Sequence, residues 1–238
     1  MSQRPPPSSR LPIIALTGCD GSGKSTLAAG LVDHLGRSVR VEQVYLGQAS
    51  GRIGEWVRGL PLIGGPVGRY LVGKSDKVHD KPKLAPGAVT ALAIYLLSRG
   101  RARHLRRALA LCEAGTVVVT DRYPQDEVPG FLFDGPELAK TTGGSWWVRW
   151  LRERERRLYA WMVGYVPALV IRLNVDEATA HARKPDHKLS SLRAKIATLP
   201  GLTFNGASIL DLDGRDSAPH VLDAALRAAH AALAPAPH

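Results

Sequence analysis

Short apolar runs alternate along the chain with longer segments that have a helical pattern. The runs that predict buried strands lie at residues 13–16, 39–46, 117–119, 168–175 and 208–212. The segments that predict helices lie at 24–35, 87–114 and 218–233, the last of them rich in alanine. Such alternation is typical of a parallel sheet covered by helices on both faces. The sequence therefore predicts an α/β fold built on a five-stranded parallel sheet.

The chain is predicted to form one domain that carries an insertion. Residues 1–10 are rich in Pro and Ser and lack the apolar core of a signal peptide, so we expect a flexible, disordered tail there. Residues from about 47 to 83 are rich in Gly and in basic side chains, which predicts a helical hairpin or an insertion. No internal repeat or linker divides the rest, and we predict a single domain over 11–234.

Composition and charge narrow the class of partner only slightly. The 238 residues carry a formal net charge of +11, which suits nucleotides, phosphorylated metabolites, nucleic acid or an acidic membrane surface. The two cysteines, Cys19 and Cys112, are too few for a disulfide framework, which favours a reducing compartment. The most apolar later stretch, 84–97, is too short to span a bilayer. We therefore expect a soluble cytoplasmic protein with no membrane partner.

The segment GCDGSGKST at residues 18–26 fits the pattern G-x-x-x-x-G-K-[ST] between a predicted strand and a predicted helix. Its glycines allow successive backbone N–H groups to point at phosphate oxygens, next to the positive end of the helix dipole. Lys24 would reach the β- and γ-phosphates, and Ser25 would place a hydroxyl on Mg²⁺. The residues predicted to bind the nucleotide are Gly18, Gly21, Ser22, Gly23, Lys24, Ser25 and Thr26.

Two carboxylates accompany this phosphate-binding loop. Asp20 lies inside the loop, where a negative charge is unfavourable unless it faces a substrate hydroxyl, faces the magnesium shell or caps the loop's own N–H groups. Asp121 ends the apolar strand predicted at 117–119 and is predicted to bind Mg²⁺. Arg122 follows at the carboxyl end of that strand, where it would hold an acceptor phosphate.

These motifs together resemble the thymidylate kinase-like branch of the P-loop nucleoside monophosphate kinases. The resemblance rests on G-x-D-G-x-G-K-S-T, on Asp121-Arg122-Tyr123 and on the Arg101-Ala102-Arg103-His104 segment of the preceding helix. It implies ATP as donor, Asp20 facing the acceptor sugar hydroxyl, Arg101 and Arg122 holding the acceptor's anionic end, and Tyr123 lining the pocket. Without the resemblance, Arg101 would equally belong to a solvated helical face of arginines.

A basic segment after the fourth predicted strand is expected to form a lid over about 181–200. Such a lid excludes water from the reaction and neutralises the migrating charge. Arg183, Lys184 and Lys188 are available for this purpose. Some thymidylate kinases carry the catalytic arginine in the phosphate loop and others in the lid. Because Gly21 follows Asp20 in this loop, we assign the catalytic role to Arg183.

The resemblance is weakest where the acceptor would bind. The chain lacks the Arg-Glu-Pro-Gly type of segment that follows the second strand in thymidylate kinases, and the Trp-rich stretch 146–150 is also unlike them. We predict transfer of a γ-phosphoryl group to a small anionic acceptor such as a nucleoside monophosphate, dTMP being the reference. The alternative is a kinase of a nucleoside, sugar or sugar phosphate. A nucleic-acid-dependent ATPase is less well supported, and the resemblance leaves a homodimer open.

Overall fold

The computed structural model describes residues 11–47 and 83–234. The strands are β1 (Leu11–Gly18), β2 (Val41–Tyr45), β3 (Lys83–Leu84), β4 (Val117–Asp121), β5 (Thr141–Thr142), β6 (Pro167–Asn174) and β7 (Ile209–Asp213). The helices are α1 (Lys24–Leu35), α2 (Ala88–Glu113), α3 (Trp146–Val163), α4 (Glu177–Arg183), α5 (Leu189–Thr198) and α6 (Ala218–Leu233). The predicted tail and nearly all of the predicted 47–83 insertion lie outside the described residues.

Five of these strands form one parallel sheet in the order β2-β4-β1-β6-β7. This confirms the predicted α/β fold with a five-stranded parallel sheet, and the observed strand ends lie within two residues of the predicted ones. A separate pair, β3 with β5, was not predicted because each strand has only two residues. The carboxyl ends of parallel strands share one edge, and the register pairs Leu16 with Asp121. Asp121 therefore lies beside the loop that follows β1.

The sheet has a hydrophobic layer on each face because the side chains of a strand alternate between its two sides. On one face Ile13 and Val118 pack with α2 and α3. On the other face Ile14 and Val119 pack with α1 and α6. The central strands are thus covered by helices on both sides, as the wholly apolar sequence of β4 indicates.

Helices α2 and α3 pack against each other through a buried polar contact. The Glu155 carboxylate accepts hydrogen bonds from the Ser98 hydroxyl at 2.7 Å and from the backbone N–H of Leu138 at 2.7 Å. The Trp-rich stretch forms the start of α3, where Trp147 stacks on Trp150 with 4.8 Å between ring centroids. Trp146 is 69% exposed. Within 11–47 and 83–234, no helix is both long enough and apolar enough to cross a bilayer.

Candidate functional site

The loop between β1 and α1 has a backbone that requires its glycines. Gly21 and Gly23 have φ values of 87° and 98°, in the left-handed region that side chains disfavour. A Cβ atom on Gly21 would lie 2.7 Å from the Ala180 carbonyl oxygen, and one on Gly18 would lie 2.5 Å from the Ser22 hydroxyl. The Ser22 hydroxyl is buried and has no hydrogen-bond partner among the described residues. The loop therefore has a backbone shape suited to binding phosphate, and the Ser22 hydroxyl in it is available to a ligand.

Lys24 begins α1 and is buried. Its ammonium donates hydrogen bonds to the carbonyl oxygens of Gly18 at 2.9 Å and Cys19 at 2.7 Å. Burial lowers the pKa of Lys24, although the nearby carboxylates of Asp121 and Asp20 oppose this shift. The amino group is thus held over the loop by two neutral acceptors. Ser25 and Thr26, in the first turn of the helix, are exposed to solvent.

Asp121 faces the same cleft from the end of β4. Its carboxylate accepts the backbone N–H of Arg122 at 2.8 Å, and Arg122 itself has a left-handed backbone with φ 62°. Burial raises the pKa of Asp121, while the charges of Lys24 and Arg122 act in the opposite direction. A carboxylate that is partly desolvated next to a lysine is typical of a functional site.

Asp20 is surrounded by cationic groups. Its carboxylate accepts the Lys195 ammonium at 2.5 Å and the Arg122 guanidinium at 3.2 Å, and His187 Nδ1 lies 3.5 Å away. Burial alone would raise the pKa of Asp20, but the Lys195 and Arg122 charges outweigh it and lower that pKa well below its usual range. Asp20 therefore stays ionised inside the loop. Because Lys195 and Arg122 balance its negative charge, it repels a bound phosphate less than an unpaired carboxylate would.

Arg101 lies deeper in the protein than an acceptor-binding side chain should. Only 1% of its side chain is exposed, and its guanidinium pairs with the Asp134 carboxylate at 2.7 Å. It also donates to the Asp134 carbonyl oxygen at 2.5 Å and to the Tyr159 hydroxyl at 3.3 Å. Asp134 belongs to no motif recognised in the sequence. Its carboxylate pairs with Arg101, the arginine that the resemblance assigns to the acceptor.

Tyr123 is placed in the hydrophobic core and not in the cleft. It is 3% exposed, packs in the cluster beneath α2 and α3, and donates its hydroxyl to the Tyr165 carbonyl oxygen at 2.6 Å. Strand β4 ends at Asp121. The next residue, Arg122, lines the cleft, and Tyr123 lies in the core. The cleft itself is lined by Leu16, Thr17, Gly18, Lys24, Asp121, Arg122, Leu132, Phe133, Asp134, Lys195 and Leu199.

The predicted lid region lies against the phosphate loop. Arg183, at the end of α4, donates to the carbonyl oxygens of Gly214 at 2.8 Å and Gly21 at 3.2 Å. Lys195, on α5, reaches the loop through Asp20 as described above. Lys184 and Lys188 are exposed. The structure therefore brings Arg183 next to the loop, and it adds Lys195, whose helical position in the sequence gave no sign of this contact.

Comparison with known proteins places the chain in a family. It is 60% identical over 221 residues to the uncharacterized ATP-binding protein YghS of Escherichia coli K12, with 93% of each chain covered. It is 40% identical over 216 residues to the uncharacterized ATP-binding protein YghR of the same strain, with 91% of this chain and 86% of the relative covered. The chain belongs to the P-loop family that includes YghS and YghR. No protein-family model matches it.

A more distant similarity connects the YghS/YghR family with a known kinase. The chain is 34% identical over 111 residues to a thymidylate kinase of Cereibacter sphaeroides, covering 46% of this chain and 42% of that enzyme. The shared part is less than half of either protein. The match supports a kinase-like P-loop core for the YghS/YghR family, and it does not extend to membership among the thymidylate kinases.

Proposed function

We propose that this chain is an ATP-dependent phosphotransferase that moves the γ-phosphoryl group to an oxygen of a small molecule, either of a phosphate group or of a hydroxyl. The observation that carries the proposal is the cleft in which the loop lysine, Lys24, and the strand-end carboxylate, Asp121, face each other. The names of YghS and YghR, both ATP-binding proteins, support ATP as the donor. The partial similarity to a thymidylate kinase supports a kinase over a switch protein.

Binding of the donor would use groups that are already in place. Loop N–H groups would surround the phosphates, and the Lys24 ammonium would exchange its carbonyl partners, Gly18 and Cys19, for phosphate oxygens. The exchange is favourable because a charged phosphate is a stronger partner for an ammonium than a neutral carbonyl. Ser22 would satisfy its unpaired hydroxyl at the same time.

The oxygen donors at the loop fit Mg²⁺. That ion prefers one or two carboxylates together with waters and substrate phosphates, and Ser25 and Asp121 offer a hydroxyl and a carboxylate at the two sides of the loop. The described ranges contain no cluster of three His, Cys, Asp or Glu side chains suited to a metal. When bound, Mg²⁺ supplies charge neutralisation at the β- and γ-phosphate oxygens.

In the proposed reaction the acceptor oxygen forms a bond to the γ-phosphorus. The bond from that phosphorus to the β–γ bridging oxygen breaks, and ADP leaves with the electron pair. A hydroxyl acceptor also releases its proton to water, whereas an ionised phosphate acceptor has no proton to release. Arg183 would offset the charge that develops on the transferred group, from its present position next to Gly21. Asp20, held ionised by Lys195 and Arg122, would accept a hydrogen bond from the acceptor.

Two classes of acceptor are compatible with this chemistry. A nucleoside monophosphate is the class that the sequence favours, and the partial match to a thymidylate kinase supports it. A nucleoside, sugar or other uncharged molecule is favoured by a specific observation, because Arg101 is buried and already paired with Asp134. We further propose a small-molecule partner and no nucleic acid or membrane partner, in the cytoplasm. The homodimer stays a prediction.

The test is an acceptor screen in which ADP formation is measured with nucleosides, nucleotides and sugars, with and without Mg²⁺. We expect acceptor-dependent ADP formation that Lys24→Ala reduces at least about 100-fold. Arg37→Ala is the matched control, because it removes one positive charge close to the end of the same helix, at an exposed pair with Asp33. Full phosphotransfer by Lys24→Ala, or ADP formation that no acceptor stimulates, would reject the proposed function.

A further inference from the structure

The acceptor end of the cleft contains a carboxylate where the arginines are expected to hold a phosphate. The Asp134 carboxylate lies 2.7 Å from the Arg101 guanidinium and 3.9 Å from the Arg122 guanidinium. Asp134 lines the cleft together with Lys24 and Asp121, and 18% of its side chain is exposed. A role for Asp134 toward the acceptor rests on the proposed function, which places that molecule in this cleft.

Asp134 is held by a loop whose conformation is fixed by several contacts. Gln125 is buried, and its amide donates to the carbonyl oxygens of Val128 at 2.6 Å and Phe133 at 2.8 Å. A Cβ atom on Gly135 would lie 2.1 Å from the Val128 carbonyl oxygen, so the loop closes tightly on itself. Asp134 has a left-handed backbone with φ 62°, which Asp tolerates better than most residues. These contacts hold the loop that places the Asp134 carboxylate in the cleft wall.

Three cations described at the acceptor end of the cleft, Arg101, Arg122 and Lys195, already have carboxylate partners, that of Lys195 being Asp20 at 2.5 Å. Arg101 is 1% exposed, and both of its terminal nitrogens are engaged: Nη2 with the Asp134 carboxylate, and Nη1 with the Asp134 carbonyl oxygen and the Tyr159 hydroxyl. Arg122 lies between two carboxylates, those of Asp20 and Asp134. A phosphate dianion placed beside Arg122 would approach both carboxylates at close range, and like charges repel strongly in a partly desolvated site. A hydroxyl group would instead donate to a carboxylate and accept from Arg122.

We infer that the acceptor is an uncharged, hydroxyl-bearing molecule of the nucleoside or sugar class, and that Asp134 is the residue that selects it against the corresponding phosphate monoester. Asp134 acts on acceptor choice by two means. It removes Arg101 from the set of available anion-binding groups, and it presents a carboxylate to the acceptor. The donor side of the cleft, formed by the phosphate loop, is unaffected by this choice.

The first experiment uses the unmodified protein and matched acceptor pairs. ADP formation and binding to the AMP-PNP·Mg²⁺ complex are measured with thymidine and dTMP, cytidine and CMP, adenosine and AMP, and ribose and ribose 5-phosphate. We expect kcat/KM for the uncharged member of the accepted pair to exceed that for its monophosphate by roughly tenfold or more. A monophosphate that is used or bound as well as its uncharged counterpart would overturn the inference while leaving the proposed function intact.

The second experiment tests Asp134 directly. Asp134→Asn should raise the KM for the uncharged acceptor roughly tenfold, leave the KM for ATP within about twofold, and increase the relative use of the monophosphate. In Asp134→Asn the buried Arg101 loses its ionic partner, which should destabilise the protein. The double variant Arg101→Met/Asp134→Asn removes both charges and thereby avoids an unpaired buried charge. Unchanged acceptor preference in both folded variants would overturn the assignment of Asp134. Absence of ADP formation with every acceptor would instead reject the proposed function itself.

Discussion

At the scale of single residues, Asp20 shows how a phosphate-binding loop accommodates an acid. Its carboxylate is held by Lys195 on one oxygen and by Arg122 on the other. These two cations lie on different elements, so Asp20 joins α5 to the end of β4 across the loop. The acid thus neutralises cations that would otherwise repel one another, and it keeps its charge because its pKa is lowered.

Arg122 is the residue whose removal should separate acceptor binding from donor binding. It contacts Asp20 at 3.2 Å and lies 3.9 Å from Asp134. Lys24 and the loop glycines, in contrast, are the groups that we propose hold the donor. Arg122→Ala should therefore raise the KM for the acceptor roughly tenfold or more, with a change of at most about twofold in the KM for ATP. Steady-state kinetics with each substrate varied in turn measures both values, and equal changes in the two would contradict the assignment.

Site residues that belong to a local sequence motif could be predicted from the sequence. Site residues that reach the cleft through contacts between distant parts of the chain could not. The loop and Asp121 follow predicted strands, and parallel strands end at one edge, so their meeting could be anticipated. Lys195 meets Asp20 across 175 positions of sequence, and no local pattern encodes that contact. Asp134 pairs with Arg101 across 33 positions, from the end of a three-residue 3-10 helix (Phe131–Phe133). Tyr123 was assigned to the pocket by resemblance, but the chain turns it into the core.

At the scale of elements, two cations attach helices α4 and α5 to the phosphate loop. The helices are joined to each other by the ion pair of Glu177 with Arg193 at 2.7 Å. Arg183 attaches the end of α4 to the Gly21 carbonyl oxygen, and Lys195 attaches α5 to Asp20. Both attachments are on loop atoms, so any movement of the loop on nucleotide binding would be transmitted to α4 and α5.

Lys195→Met should destabilise the fold in a way that depends on pH. The Lys195–Asp20 pair is largely shielded from solvent, so its loss should reduce the free energy of unfolding by about 1–3 kcal/mol at pH 7. A carboxylate whose pKa is lowered in the folded state contributes stability above its unfolded pKa, near 4, and loses that contribution as pH falls toward the folded pKa. The difference between the two proteins should therefore shrink from pH 7 to pH 3.

Urea unfolding at a series of pH values measures this difference. Arg193→Met is the matched control, because it removes a cation from the same helix at an exposed ion pair, where little stability is expected. A destabilisation by Lys195→Met that stays constant between pH 7 and pH 3 would show that the ion pair with Asp20 is not its cause.

At the scale of the whole molecule, the loop proposed to bind the nucleotide packs against several elements of the fold. The loop is packed between β1, α1, α4 and the turn after β7, where a Cβ atom on Gly214 would lie 2.6 Å from the Ser22 carbonyl oxygen. Nucleotide bound to this loop therefore adds to the stability of the central sheet and not to a peripheral segment. The net charge of +11 favours anionic ligands in general and does not distinguish one anionic ligand from another.

MgATP should raise the melting temperature of the protein through this coupling. At a free concentration about 100 times its Kd, a ligand that binds only the folded state adds about 2.7 kcal/mol. For a chain of this size that corresponds to a shift of roughly 5–10 °C. Differential scanning fluorimetry measures the shift, which Lys24→Ala should abolish and Arg37→Ala should retain. An equal shift in the Lys24→Ala protein would indicate that the nucleotide binds elsewhere.

The order of strands in the sheet also has a consequence for the synthesis of the protein. β1 is made first yet lies at the centre, and its hydrogen-bonding neighbours β4 and β6 follow roughly 100 and 150 residues later. At about 5–20 residues per second, the apolar residues of β1 leave the ribosome several seconds before either neighbour exists. During that interval they are an exposed, unpaired strand of the kind that chaperones bind. The phosphate-binding loop therefore acquires its shape only late in translation, when most of the chain has been made.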